Sequence, residues 1–272
     1  LWKSESCFMS ENTRIIAIAN QKGGVGKTTT AINVAAALAE KGSKTLLIDL
    51  DPQGNASTGL GIEPEARSLT TYDLLVEQMP LAEIARPTAF DRLHICPANA
   101  DLSSADMELL SNERRTFLLQ DALKDIDSGY DYILIDCPPS LNLLTINALV
   151  AADSVLVPLQ AEFFALEGLS QLMLTVREVR QTANPSLRIE GVVLTMYDKR
   201  NNLSQLVEND ARQTLGELVF ATIIPRNVRV SEAPSFSVPV LAYDSSSKGS
   251  EAYRALVAEM TASHRTPMRR SA

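Results

Sequence analysis

Short apolar runs alternate with longer stretches of helical periodicity along most of the chain. Residues 14–20, 44–50, 92–97, 132–137, 154–160, 189–196 and 218–224 are brief runs rich in Ile, Leu and Val. Between them, residues 27–41, 105–126, 142–152, 165–182, 203–215 and 249–263 carry apolar positions at helical spacing. The first of these stops at Gly42, a residue suited to the left-handed turn that ends a helix. Strands that are apolar almost throughout, separated by helices, predict a parallel sheet covered on both faces. Right-handed crossovers then give one doubly wound α/β domain with a mostly parallel sheet. No internal repeat or long linker divides it, so residues 13–263 are expected to form a single domain. Residues 1–12 are expected to be a flexible lead-in, and 264–272, with Pro267, Arg269 and Arg270, a flexible basic tail.

Composition narrows this picture without redirecting it. The 272 residues are 45% hydrophobic and 21% charged, as in ordinary globular chains. The formal net charge of −8 speaks against a nucleic-acid binder, although a local basic patch can sit on an acidic protein. Cys7, Cys96 and Cys137 form no CxxC pair, which suggests neither a disulfide framework nor a zinc or iron–sulfur site and fits the reducing cytosol. His94 and His264 have no metal-like neighbours in sequence. Phe163 and Phe164 read as packing residues rather than a base-stacking platform. No apolar run reaches the roughly 18–20 residues of a membrane span.

The chemistry concentrates at residues 21–30, QKGGVGKTTT, between the first strand and the first helix. Gly23, Gly24 and Gly26 let the backbone of this loop, with Val25, wrap around phosphates, and the following helix start aims free N–H groups at them. Lys27 is placed to reach the β- and γ-phosphates, Thr28 to ligate Mg²⁺, and Thr29 to line the same cradle. The position five before Gly26 is Gln21, where the common phosphate-loop pattern has glycine, and Lys22 stands just ahead of the glycine pair. Two further strands end in carboxylates. Asp49 and Asp51 lie two apart, so that both can approach the phosphate end, and Asp136 closes the run YILID. An aspartate at such a strand tip can hold Mg²⁺ directly or through water.

The run from Lys22 to Thr28 resembles the deviant P-loop (Walker A) of the MinD/ParA group of ATPases. Residues 51–61, 136–141, 158–168, 194–198 and 224–235 are similar to one branch of it, the ParA/Soj-type chromosome partition ATPases, so that the resemblance covers about residues 13–262. It implies that Lys22 reaches across a dimer interface to the partner's nucleotide, and that Asp51 orients or activates the attacking water. Asp136, Thr28 and Asp49 belong to the magnesium network. Met196, Pro225 and Asn227 line the adenine pocket, and Lys199, Arg200 and Arg229 contact DNA. ATP then closes a homodimer that binds double-stranded DNA without sequence preference, and a ParB-type centromere-binding partner stimulates slow hydrolysis to release it. Such a protein is cytoplasmic and nucleoid-associated. Two other activities of the same fold stay open: a MinD-like membrane-cycling ATPase, and a metabolic or cluster-carrier ATPase. The residues near the C-terminus, interrupted by Pro267, lack the bulky apolar face of a membrane-binding helix.

Overall fold

The structure is a computed structural model in which residues 13–124, 129–162 and 165–263 are described. The expectations for residues 1–12 and 264–272, and for Phe163 and Phe164, lie outside the described residues. The strands are β1 (Arg14–Ile18), β2 (Thr45–Asp49), β3 (Arg86–Pro87), β4 (Leu93–Cys96), β5 (Tyr132–Asp136), β6 (Ser154–Gln160), β7 (Arg188–Tyr197) and β8 (Val219–Pro225). The first helices are α1 (Lys27–Glu40), α2 (Asn55–Gly59), α3 (Thr71–Leu75), α4 (Leu81–Ile84), α5 (Ala105–Glu108) and α6 (Leu118–Lys124). They are followed by α7 (Leu143–Ala151), α8 (Ala165–Thr182), α9 (Asn202–Leu215), α10 (Val228–Glu232), α11 (Val240–Tyr243) and α12 (Lys248–Ser263).

The eight strands form one sheet in the order β3-β4-β2-β5-β1-β6-β7-β8. Neighbours are parallel except β3, which runs antiparallel to β4 at the edge. Pro87 belongs at such an edge, because proline cannot donate to a ladder. β1 shows why nearly every strand residue is apolar. Ile16 and Ile18 enter the core on the face of α1 and α12, while Ala17 and Ala19 enter the core on the opposite face. Both cores exclude water, so the alternation of side chains leaves no polar face.

Adjacent β1 and β5 send their following helices to opposite faces, α1 to one and α7 to the other. The crevice outside their C-terminal ends is therefore the ligand-binding position of an open α/β sheet. The helical pattern at 105–126 does not form one helix. It breaks after α5, where Asn112 Oδ1 accepts from Arg114 N and Asn112 N donates to Leu109 O. A side chain that competes for backbone groups in this way favours a turn over helix continuation. Leu109, Leu118 and Leu119 remain buried, whereas Met107 and Leu110 stay exposed.

Candidate active site

β1 ends at Ile18, and the next residues are already fastened. Asn20 Nδ2 donates to Pro158 O at 2.8 Å, and Asn20 Oδ1 accepts from Lys22 N at 3.0 Å. Gly24 (φ 74°) and Gly26 (φ 85°) occupy the left-handed region that lets the loop curl back before α1. α1 starts without a side-chain cap among the described residues and without an acidic residue in its first turn. Its leading N–H groups, including those of Lys27, Thr28 and Thr29, thus face the loop with no intrahelical partner. The buried Lys27 ammonium donates to Lys22 O at 2.9 Å. Burial lowers the Lys27 pKa, against the pull of Asp136, Cys137 and Asp51. This is a loop of donors with a desolvated cation at its centre, an arrangement suited to a polyphosphate.

Opposite the loop stand the carboxylates. Asp49 and Asp136 are register partners on the parallel neighbours β2 and β5, and both are fully buried. Neither oxygen of Asp136 has a hydrogen-bond partner among the described residues. Burial first, and the charge of Asp49 next, raise the Asp136 pKa well above the carboxylate range; Thr28 and Lys27 favour its charged form. Asp49 is held differently. Its oxygens accept from Asp51 N, Ser57 N and Ser57 Oγ at 3.2, 2.9 and 2.7 Å. Burial pushes its pKa up to about 6 in spite of these bonds. Asp49 thus anchors α2, while Asp136 keeps its lone pairs for something else. Two buried carboxylate oxygens without a hydrogen bond of normal geometry, a neighbouring carboxylate and the nearby Thr28 hydroxyl make a hard, oxygen-rich set that fits a divalent cation such as Mg²⁺. Asp51, also buried, accepts from Gln53 N at 3.0 Å through Oδ1 at the head of the turn into α2.

The segment from Asp51 to Arg67 is gripped from both ends. Arg67 is only 9% exposed, and its guanidinium donates to Ile62 O, Ala98 O and Thr58 Oγ1. Gly54 (φ 63°) lies directly beneath it, and a Cβ there would collide with that guanidinium and stand 3.0 Å from Ala98 O. Ser57 Oγ, which donates to Asp49, also accepts from Ala98 N. Sequence reasoning missed Arg67, since one arginine in a polar stretch carries no sign of burial. It also missed Asn20; Thr195, which the resemblance set beside Met196 in the adenine pocket, proves to donate its hydroxyl to Val25 O at 2.8 Å and so ties β7 to the phosphate loop.

The remaining expected residues gather at the same end of the sheet. Met196 has φ 51°, and its Cε lies 3.5 Å from where a Cβ on Gly26 would stand. Pro225 closes β8 opposite Tyr197, and Asn227 caps α10 by accepting from Arg229 N. Lys22 Nζ pairs with Glu162 at 3.6 Å, with both side chains partly exposed. Lys199 and Arg200 are exposed on the turn after β7, and Arg229 is exposed on α10, the helix after β8. Arg200 pairs with Asp198 at 3.1 Å, and Arg229 with Glu232 at 2.9 Å and Asp244 at 3.4 Å.

The comparisons with known proteins give the family. A family described as an AAA domain matches residues 13–189. The chromosome partitioning protein ParA of Caulobacter vibrioides is 56% identical over 260 residues, covering 94% of this chain and 97% of that protein. The chain belongs to the ParA/Soj family of chromosome-partitioning ATPases. The chromosome-partitioning ATPase Soj of Thermus thermophilus is 51% identical over 255 residues, covering 94% of this chain and 98% of that one. Among solved structures, cobyrinic acid a,c-diamide synthase from Mycobacterium smegmatis with bound ATP analog and magnesium superposes with a TM-score of 0.82. It is 37% identical and covers 93% of this chain and 96% of its own. The ParA/Soj family thus brings with it the α/β P-loop fold seen here, with its mostly parallel eight-stranded sheet.

Proposed function

We propose that this member of the ParA/Soj family is an ATP-gated DNA-segregation protein. One observation supports the reading above others: the capless glycine loop from Lys22 to Thr29 faces a buried carboxylate with two unpartnered oxygens. ATP would lie with its phosphates in that loop and its adenine among Met196, Pro225 and Asn227. Mg²⁺ would be held by Thr28 and Asp136, with Asp49 behind them, and when bound it neutralises charge on the β- and γ-oxygens. Lys27 binds the phosphates, and Asp51 positions the attacking water. Phosphoryl transfer needs placement and charge neutralisation more than a strong base, and this set supplies both.

Lys22 would leave Glu162 and reach the nucleotide of a second copy. A long, partly exposed ion pair holds it with less than about 1 kcal/mol, so the exchange is easy. A homodimer doubles the patch of Lys199, Arg200 and Arg229, which explains how an acidic chain binds double-stranded DNA only when ATP pairs it. In the isolated chain Arg200 and Arg229 are already matched by carboxylates, which further disfavours DNA binding by the monomer. A ParB-type partner stimulates hydrolysis, and the protein works on the nucleoid in the cytoplasm. No helix of the described residues is long and apolar enough to cross a membrane. The diamide synthase likeness leaves a metabolic reading, but its 37% identity stands below the 56% and 51% of the partition proteins.

The deciding experiment is binding to a random-sequence DNA duplex with no nucleotide, ADP or ATP, over a salt series. Binding is expected with ATP alone, to weaken with salt, and to persist longer in Asp51→Ala. Arg229→Glu should abolish it while leaving ATP affinity intact. A protein that binds ATP and dimerises but holds no DNA in any state would end the proposal.

A further inference from the structure

Three hydrogen bonds in series join Arg67 to the backbone of Asp51. Arg67 Nη2 donates to Thr58 Oγ1 at 2.6 Å. Thr58 Oγ1 donates to Gly54 O at 3.2 Å, and Gly54 N donates to Asp51 O at 2.8 Å. A guanidinium has only donors, so the single proton of the Thr58 hydroxyl is left for Gly54 O and the direction of the series is fixed. Gly54 also lies against the guanidinium itself, where a Cβ would collide with it.

The same side chain holds the far end of the turn. Arg67 Nε and Nη2 donate to Ile62 O at 2.9 and 2.8 Å, and Nη1 donates to Ala98 O at 3.0 Å. One guanidinium therefore grips α2 at Thr58, the chain just after α2 at Ile62, and the exit of β4 at Ala98. These acceptors are neutral oxygens, although Arg67 is buried. Taking a cation out of water is expensive, and an apolar side chain of similar volume would fill the space at less cost. What an apolar side chain cannot do is fix the positions of three oxygens on three segments.

We propose that Arg67 is a positioning residue for ATP hydrolysis, acting through Thr58 and Gly54 to hold Asp51 where it places the attacking water. The inference rests on the role of Asp51 proposed above. Arg67 bonds no residue of the phosphate loop among the described residues, so its effect falls on the chemical step and not on nucleotide affinity. A displacement of about 1 Å in a positioning group can cost on the order of a hundredfold in rate.

Single-turnover hydrolysis of ATP with Mg²⁺ by the full chain, beside equilibrium ATP affinity and ATP-dependent dimerisation, tests this. Thr58 is exposed on α2, so Thr58→Val removes the hydroxyl from the series without opening the core. It should slow the chemical step about tenfold while leaving ATP affinity and dimerisation within about twofold of the parent. Thr58→Ser keeps the hydroxyl and should hydrolyse at the parental rate. Arg67→Lys keeps the charge and loses the fork, and should slow the step at least as much as Thr58→Val. The double variant should be no slower than Arg67→Lys alone, because both changes break one series. A parental rate in Thr58→Val, a Thr58→Ser as slow as Thr58→Val, or a loss of ATP affinity equal to the loss of rate would each overturn the proposal. Asp51→Ala run in parallel separates the two readings. If it hydrolyses at the parental rate, the role of Asp51 falls and this inference with it. If it is slow while Thr58→Val and Arg67→Lys are parental, this inference alone fails.

Discussion

Replacing Asp136 with asparagine should make the nucleotide-free protein more stable as it makes it inactive. Asp136 and Asp49 are register partners on adjacent parallel strands, whose axes lie about 4.8 Å apart. Two unit charges near that separation, at an effective dielectric of about 20, repel by roughly 3 kcal/mol. Burial raises the Asp136 pKa in the folded state, and the Asp49 charge raises it further, while in the unfolded chain it titrates normally. A carboxylate raised by folding contributes its stability below the unfolded value, near pH 4, and loses it as pH climbs towards the folded value. The gap between Asp136→Asn and the parent should therefore be small at pH 4 and grow to about 3 kcal/mol by pH 8. Urea unfolding without nucleotide or magnesium, at both pH values and with equal m-values, measures it. Added Mg²⁺ should stabilise the parent and not the variant. A gap that does not change with pH, or a variant less stable at pH 8, would refute the claim that this pair is electrostatically loaded.

Two other perturbations probe the loops around the site. Gly54→Ala forces a side chain into the left-handed region beneath the Arg67 guanidinium, and should cost about 3 kcal/mol between backbone strain and lost hydrogen bonds. In an Arg67→Ala background only the strain of about 1 kcal/mol should remain, and additivity in that double-mutant cycle, read by urea unfolding, would exclude the contact as the cause. Thr195→Val removes the bond to Val25 O and should weaken ATP about tenfold in equilibrium titration with little change in melting temperature. Unchanged ATP affinity would mean that the phosphate loop holds its shape without β7.

Strands were legible because burial on both sheet faces leaves an unbroken apolar signature, as in β5 and β6, whose positions follow directly from YILID and SVLVPLQ. The phosphate loop was legible because positive φ at Gly24 and Gly26 demands glycine at fixed spacing. What escaped was set by contacts distant in sequence. α2 and α3 are five-residue pieces with too few turns for a periodicity, held by Asp49, Arg67 and the Thr70–Asp73 capping box. The break after α5 came from one asparagine that satisfies backbone groups locally. Asp49 shares with Asp136 a strand-end position, and only the structure separates the carboxylate given to Ser57 from the one left unbonded.

The position of β1 in the sheet has a consequence for how the chain comes into being. It precedes the other described strands in the chain, yet it lies between β5 and β6. Its contacts with them span 117 residues from Thr13 to Tyr130 and 138 from Ile15 to Asp153. During translation the Ile-rich run therefore has neither of its partners until the chain has been made as far as β5, Tyr132–Asp136. Contacts of such long range form slowly, and an unpaired apolar strand is open to wrong partners meanwhile. Since the phosphate loop is the direct continuation of β1, competence to hold a nucleotide arrives only with the last central pairing, and nucleotide binding reports that assembly is complete.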